Sequence, residues 1–434
     1  MPVSYRRLFA LPGTAAFTLA GLLGRLPLSM TGVSLVVLIS ERRGSYALAG
    51  TVAAAGLATG AIGLPLVGRL VDRYGQARVT VPAVLYNALP LTGLLLCVRL
   101  GAPDWTLYAC WAACAGTPNL GGMARSRWAH LYRADPAARH LANSLEQALD
   151  ELCFMAGPVL ALLLCTTVAP EAGLITAGVL GTAGALLFAA QRRTEPPLTA
   201  ATARERHGSP LRVPGLRVML LTFLATGVLF GSLEVTTLAY ADALGQKPLA
   251  GVLLGLVAGG SCVAGLVFGL LRPRRAAGTR FLLGVAAMAG LLLLPLAAGL
   301  GGAGLGMLGA VLFVAGSGTA PTMVTGMTLV QELLPQRQLN EGMAVAVSGI
   351  VVGISAGAAL GGTVAEHAAP GTGYWLPAGA AALALLIALA GRRHLRGPRD
   401  RTAGGTVTGT AAATGSAGTV GTPESRERTV GAAR

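Results

Sequence analysis

The sequence predicts an all-α integral membrane protein with twelve transmembrane helices in two six-helix bundles. Three observations lead there. The chain is too apolar for a soluble fold, its apolar residues fall in helix-length runs, and its basic residues gather in alternate loops.

The chain has 434 residues, 53% hydrophobic and 12% charged, with mean hydropathy +0.64. Soluble proteins carry about 25% charged residues. A surface this apolar faces lipid, where helices satisfy their own backbone. The net charge of +15 does not indicate nucleic acid, because the arginines form short clusters between apolar runs and no basic face with interleaved aromatics. Lys247 is the only lysine among 33 basic residues, and Ala and Gly dominate, a GC-rich coding bias of actinobacterial type. The six cysteines lie in apolar runs with no metal-ligand spacing, so no metal site is expected. No catalytic constellation, phosphate-binding loop or cofactor motif is present in the sequence, and no cleavable signal peptide precedes the first run.

A crossing needs about 20 apolar residues. The runs fall at 12–39, 46–68, 79–99, 105–124, 143–168, 172–190, 217–240, 249–271, 281–300, 303–328, 342–365 and 373–391. The ninth and tenth are divided only by the Gly-rich stretch from Gly299 to Gly304. With a cytoplasmic N-terminus, the inner loops hold arginine clusters, among them Arg69, Arg73, Arg78, Arg125, Arg127, Arg133 and Arg139. The outer loops hold Arg42, Arg43, Arg99 and Lys247. This is the positive-inside bias of a multi-pass plasma-membrane protein with both termini in the cytoplasm.

A loop with Pro196, Pro197, Pro210 and Pro214 around Arg204, Glu205 and Arg206 parts six runs from six. It divides the chain into a bundle at 1–190, a cytoplasmic linker at 191–216, a second bundle at 217–396 and a disordered tail at 397–434. The halves echo each other: Pro118 in the fourth run matches Pro321 in the tenth, followed by Asn143 and Asn340. Two six-helix halves are typical of transporters with parallel repeats.

The loop after the second run reads Gly68-Arg69-Leu70-Val71-Asp72-Arg73-Tyr74-Gly75-Gln76-Ala77-Arg78. It resembles the signature of the major facilitator superfamily, G-x-L-x-D-R-x-G-R-K/R, through Gly68, Leu70, Asp72, Arg73 and Gly75. Gln76 and Ala77 replace the usual basic pair, and Arg78 lies one position beyond it. The resemblance implies that this Asp latches the two bundles in an outward-open state. The alternative is that Asp72 only balances Arg69, Arg73 and Arg78. The loop from Arg272 to Arg280 in the second half keeps the arginines and has no acid. An efflux-type motif of the fifth helix is matched only by Gly157-Pro158.

Gly349, Gly353, Gly357 and Gly361 form a stripe four residues apart in the eleventh run, and Gly251, Gly255 and Gly259 form one in the eighth. Such stripes let helices approach closely. In the resembled fold, helices two and eleven meet across the bundles, as do five and eight, which makes the stripes either sliding surfaces or static packing.

Intramembrane ionisable groups mark function. Arg25 lies in the first run, Glu146, Asp150 and Glu151 in the fifth, Glu234 in the seventh, and Asn119 beside Pro118 in the fourth. One acid can pair with Arg25, and Glu146 can alternatively pair with Arg139. The remaining acids need another counter-charge, and a proton is one. Glu234, with Asp150 or Glu151, is therefore the candidate proton carrier. The reading is a monomeric secondary transporter in the lipid bilayer, exporting amphiphilic small molecules in exchange for protons. Nutrient or anion uptake by the same fold is the alternative, and a non-transporting membrane sensor is the rival from another class.

Overall fold

The computed structural model describes residues 5–198, 209–246, 249–272, 274–367 and 369–395. Arg204, Glu205, Arg206, Lys247 and the tail at 397–434 lie outside the described residues. After a 3-10 turn at Tyr5–Ala10 come α1 (Thr14–Arg43), α2 (Tyr46–Tyr74), α3 (Gln76–Arg99), α4 (Asp104–Ala113), α5 (Leu120–Leu131), α6 (Pro136–Thr167) and α7 (Ala172–Ala190). Then follow α8 (Pro214–Ala243), α9 (Ala250–Leu270), α10 (Ala277–Leu291), α11 (Leu293–Leu300), α12 (Leu305–Gly316), α13 (Thr319–Leu333), α14 (Leu339–His367) and α15 (Trp375–Ala390).

Eleven helical stretches among the described residues are long and apolar enough to cross a membrane. The expected fourth crossing is in two pieces, α4 and α5. The break spans a short 3-10 turn at Cys114–Gly116 and then Thr117 and Pro118, where proline supplies no N–H to continue the ladder. Asn119 restarts the helix as its N-cap, its Oδ1 accepting from Gly122 N at 3.0 Å. The expected end at residue 124 is corrected, because α5 runs on to Leu131. Arg125 and Arg127, expected in a loop, are helical and only 4% and 0% exposed. The expected tenth run is also broken, between α12 and α13 at Ser317–Gly318. The ninth and tenth runs do separate at the Gly-rich stretch, with Gly302 at φ 66°.

Local chemistry sets other boundaries. Ser45 caps α2 through Leu48 N. Pro136 opens α6, and Asp135 accepts from Ala137 N and Ala138 N. Gly75 joins α2 to α3 at φ 97°, a conformation that side chains with a Cβ rarely adopt.

Three buried apolar clusters are built from residues up to Phe188, and two from buried residues from Leu216 onward with Ala129 as the one exception. The halves meet chiefly through α2 against α14 and α6 against α9.

The glycine stripe of α14 does not form the meeting of helices two and eleven. Gly349 faces Leu220, Gly353 faces Leu224 O and Gly227, Gly357 faces Val228, and Gly361 faces Ser232 and Val235. All of these lie on α8, within the same half. A Cβ at Gly353 would strike backbone, so the stripe fixes a close helix pair. In α9, Gly251 and Gly255 have nothing near them.

Candidate functional site

The end of the molecule where α1 begins and α15 finishes, here the terminal end, carries most of the buried charge. Arg25 of α1 is 6% exposed. Its Nη2 lies 2.7 Å from Glu146 Oε2, and its Nη1 donates to Asp150 Oδ1 at 2.8 Å. Asp150 Oδ2 accepts from Arg125 Nη2 at 2.7 Å, and Glu146 Oε1 accepts from Trp128 Nε1 at 2.6 Å. Glu146 and Asp150 are four apart on α6 and so share a face. Two guanidiniums thus meet two carboxylates. Arg125, expected in an inner loop, is buried here and supplies the second base of the cluster. Glu146 pairs with Arg25, not with Arg139.

Glu151 is placed differently. Its Oε1 accepts from Ser261 Oγ of α9 at 2.8 Å and from Gln147 Nε2 at 3.1 Å. Both partners are neutral. Glu151 therefore joins the two halves without an arginine. Glu234 of α8 is exposed. It shares a face with Phe223, about three turns away, which packs beside Gly326 of α13.

The signature loop crosses the halves. Asp72 Oδ1 accepts from Asn340 N at 3.1 Å and Asn340 Nδ2 at 2.7 Å, and Oδ2 accepts from Glu341 N at 2.8 Å. The two backbone N–H groups are first-turn donors of α14, which have no partner within their own helix. The carboxylate also complements the positive end of the helix dipole. Arg69 forks onto Glu341, Nε to Oε2 at 3.1 Å and Nη2 to Oε1 at 2.6 Å. A Cβ at Gly68 would lie 2.9 Å from Asn340 O and Glu341 Cα, so only glycine permits this approach without a shift. The alternative, that Asp72 balances Arg69, Arg73 and Arg78, is set aside: its bonds come from two backbone N–H groups and the Asn340 side-chain amide. Arg73 and Arg78 are exposed, and Arg73 lies over the Tyr74 ring at 5.2 Å.

More contacts join the halves at this end. Asn143 Nδ2 donates to Thr328 Oγ1 at 2.9 Å and Gln331 Oε1 at 3.0 Å. A cavity of about 30 Å³ beside Asp72, lined by Gln76, Ser126, Pro196 and Asn340, has room for water and not for a substrate.

Sequence reasoning missed Arg125, Trp128, Ser261, Gln147 and Gln76. Gln147 was legible as a residue four before Glu151. Gln76, where the signature departs from its usual arginine, accepts from Arg127 Nε at 2.7 Å. Arg127 also donates to Phe188 O and Gln191 O, tying α5 to the end of α7. Asn119, a candidate from the fourth run, caps α5. Thr322 and Thr325 bond back to carbonyls of their own helical segment.

The family model of the Major Facilitator Superfamily matches residues 17–307. An uncharacterised MFS-type transporter, y4rN of Sinorhizobium fredii, is 29% identical over 378 residues, covering 83% of this chain and 91% of that protein. The fold is similar to the human organic anion transporter MFSD10, at TM-score 0.66 and 16% identity, covering 88% of this chain and 99% of that one. It is also similar to a bacterial homologue of the iron transporter ferroportin in an outward-facing state, at TM-score 0.69 and 14% identity, covering 88% and 99%. At these identities the two structures speak for the fold alone.

Proposed function

The chain belongs to the Major Facilitator Superfamily, and we propose that it is a proton-coupled exporter of amphiphilic small molecules working by alternating access. One observation carries the alternating-access reading: the named polar contacts between the halves gather at the terminal end. Asp72 with α14, Arg69 with Glu341, Asn143 with α13 and Glu151 with Ser261 all lie there. Toward the other end, Gly60 of α2 and Gly251 and Gly255 of α9 face open space. This arrangement fits a molecule clamped at one end and parted at the other. With the arginine-rich terminal end in the cytoplasm, as the positive-inside bias favours, this is an outward-open state in the plasma membrane. The chain works as a monomer with both termini cytoplasmic, and its halves rock as two bundles about the linker.

The ionisable groups support proton coupling and export. Arg25 and Arg125 are each engaged by a carboxylate, which disfavours anion uptake because neither guanidinium is left for an anionic substrate. Asp150, held between two arginines, is a structural partner. Glu151 and Glu234 face no described cation within ion-pair distance. They are the proton carriers in this reading, and their charge favours substrates that are neutral or basic.

The test is accumulation of amphiphilic dyes in an efflux-deficient bacterial host, with and without a protonophore. Lower accumulation in cells expressing the wild type, lost on adding the protonophore and in Glu151→Gln, supports the reading. Unchanged accumulation of every dye, with labelled nutrient taken up instead, would replace export by uptake.

A further inference from the structure

The helix pair α2–α14 has a counterpart in α9–α6, six crossings apart in the same fold. At the first pair, the acid of the signature loop caps the partner helix. The corresponding loop after α9 has no acid, and α6 is already capped by its own Asp135. The second pair still closes, with the polarity reversed. The donors come from the first half and the acceptors are carbonyls in the last turns of α9. His140 Nε2 donates to Phe268 O at 2.9 Å, and Tyr5 Oη donates to Leu266 O at 2.8 Å. Phe268 O lies among the carbonyls that a helix C-terminus leaves without an i+4 partner.

Both donors are held in place before they reach α9. Tyr5 sits on the 3-10 turn whose Leu8 is fully buried and whose Arg7 and Leu8 carbonyls accept from Tyr132 Oη at 3.2 and 3.1 Å. Arg7 pairs with Asp135 at 3.0 Å. Burial pushes the Tyr5 phenol up to about 12, so it remains a donor at cellular pH. His140 is 2% exposed and its ring stands edge-on to Phe268 at 4.9 Å between centroids. Arg280 of α10 lies 3.3 Å from His140 Nδ1. An arginine can only donate there, which leaves the ring proton on Nε2, facing Phe268 O. Gly269 permits the contact: a Cβ there would collide with Tyr5 Oη and with Ser144.

We propose that Tyr5 and His140 form a second gate at the terminal end, closing α6 on α9 where the loop acid is missing, and that it must open for the chain to face inward. Here Tyr5 and His140 are positioning residues that touch no substrate.

Hydrogen–deuterium exchange of the full chain in nanodiscs, read by mass spectrometry over residues 136–147 and 260–272, tests this without substrate. Tyr5→Phe with His140→Leu removes the bonds to Leu266 O and Phe268 O and the one His140 accepts from Arg280, and should speed exchange in both segments about fivefold or more, as expected for losing hydrogen bonds at a locally opening contact. Gly269→Ala, which removes no polar group, should do the same by wedging the helices apart. His140→Gln, which keeps an N–H donor, should fall between. Exchange at the wild-type rate in both the double variant and Gly269→Ala overturns the proposal. A chain that transports nothing yet shows these shifts keeps the gate and loses the transport reading.

Discussion

Asp72 and Asn340 are joined twice: one carboxylate oxygen accepts the backbone N–H at 3.1 Å and the side-chain amide at 2.7 Å. The residues are far apart in sequence and come from opposite halves of the chain. An N-cap is usually supplied by the residue just before its helix. Here it comes from another helix, so the bond can form only while the two halves are closed together.

Asp72→Ala removes three accepted hydrogen bonds, while Asp72→Asn keeps an acceptor and loses the charge. A cap of this kind contributes roughly 0.5–2 kcal/mol. The expected result is a shift toward the inward-facing state, larger for Ala than for Asn, read as distance change between spin labels on α2 and α14. Gly68→Ala should shift in the same direction, because its Cβ meets backbone on α14.

The Arg25 cluster predicts a compensation. Arg25→Met leaves Glu146 buried without its base and should cost about 3–5 kcal/mol. Adding Glu146→Gln restores charge balance, since Asp150 still has Arg125 and the amide oxygen can accept from Trp128. Thermal unfolding in detergent should show the single variant far less stable than the double. Equal losses in both would mean that the cluster is not coupled as described.

Glycines of the same type should respond oppositely by position. Gly353→Leu drives a side chain into the backbone of α8 and should cost at least about 1–3 kcal/mol. Gly60→Ala faces open space and should leave stability within about 0.5 kcal/mol. Melting temperatures of the two variants check this.

Much of the fold was legible because lipid allows few solutions. Helix-length apolar runs matched eleven helical stretches among the described residues, and the Gly-rich stretch from Gly299 to Gly304 ended one helix and began the next. The signature loop gave Asp72 and Gly75 their places. The break in the fourth crossing was missed in part. Pro118 was visible, but the helix restarts after it, and charge suggested a loop where Arg125 and Arg127 in fact continue the helix. Hydropathy reads a buried arginine and a loop arginine alike; only their partners separate them. The glycine stripe of α14 was read to the wrong neighbour for a similar reason. Spacing shows that a helix has a flat face, not which helix meets it. The pairing of Glu151 with Ser261 joins residues with no sequence relation, and nothing local announces it.

The central claim is that substrate and protons move in exchange, with Glu151 and Glu234 carrying the proton. Proteoliposomes with a pH-sensitive dye sealed inside, given an outward gradient of an exported amphiphile, test it most directly. The wild type should acidify the lumen as substrate leaves, and Glu151→Gln and Glu234→Gln should abolish that proton movement. Substrate efflux by the wild type with no change in lumen pH would contradict the claim.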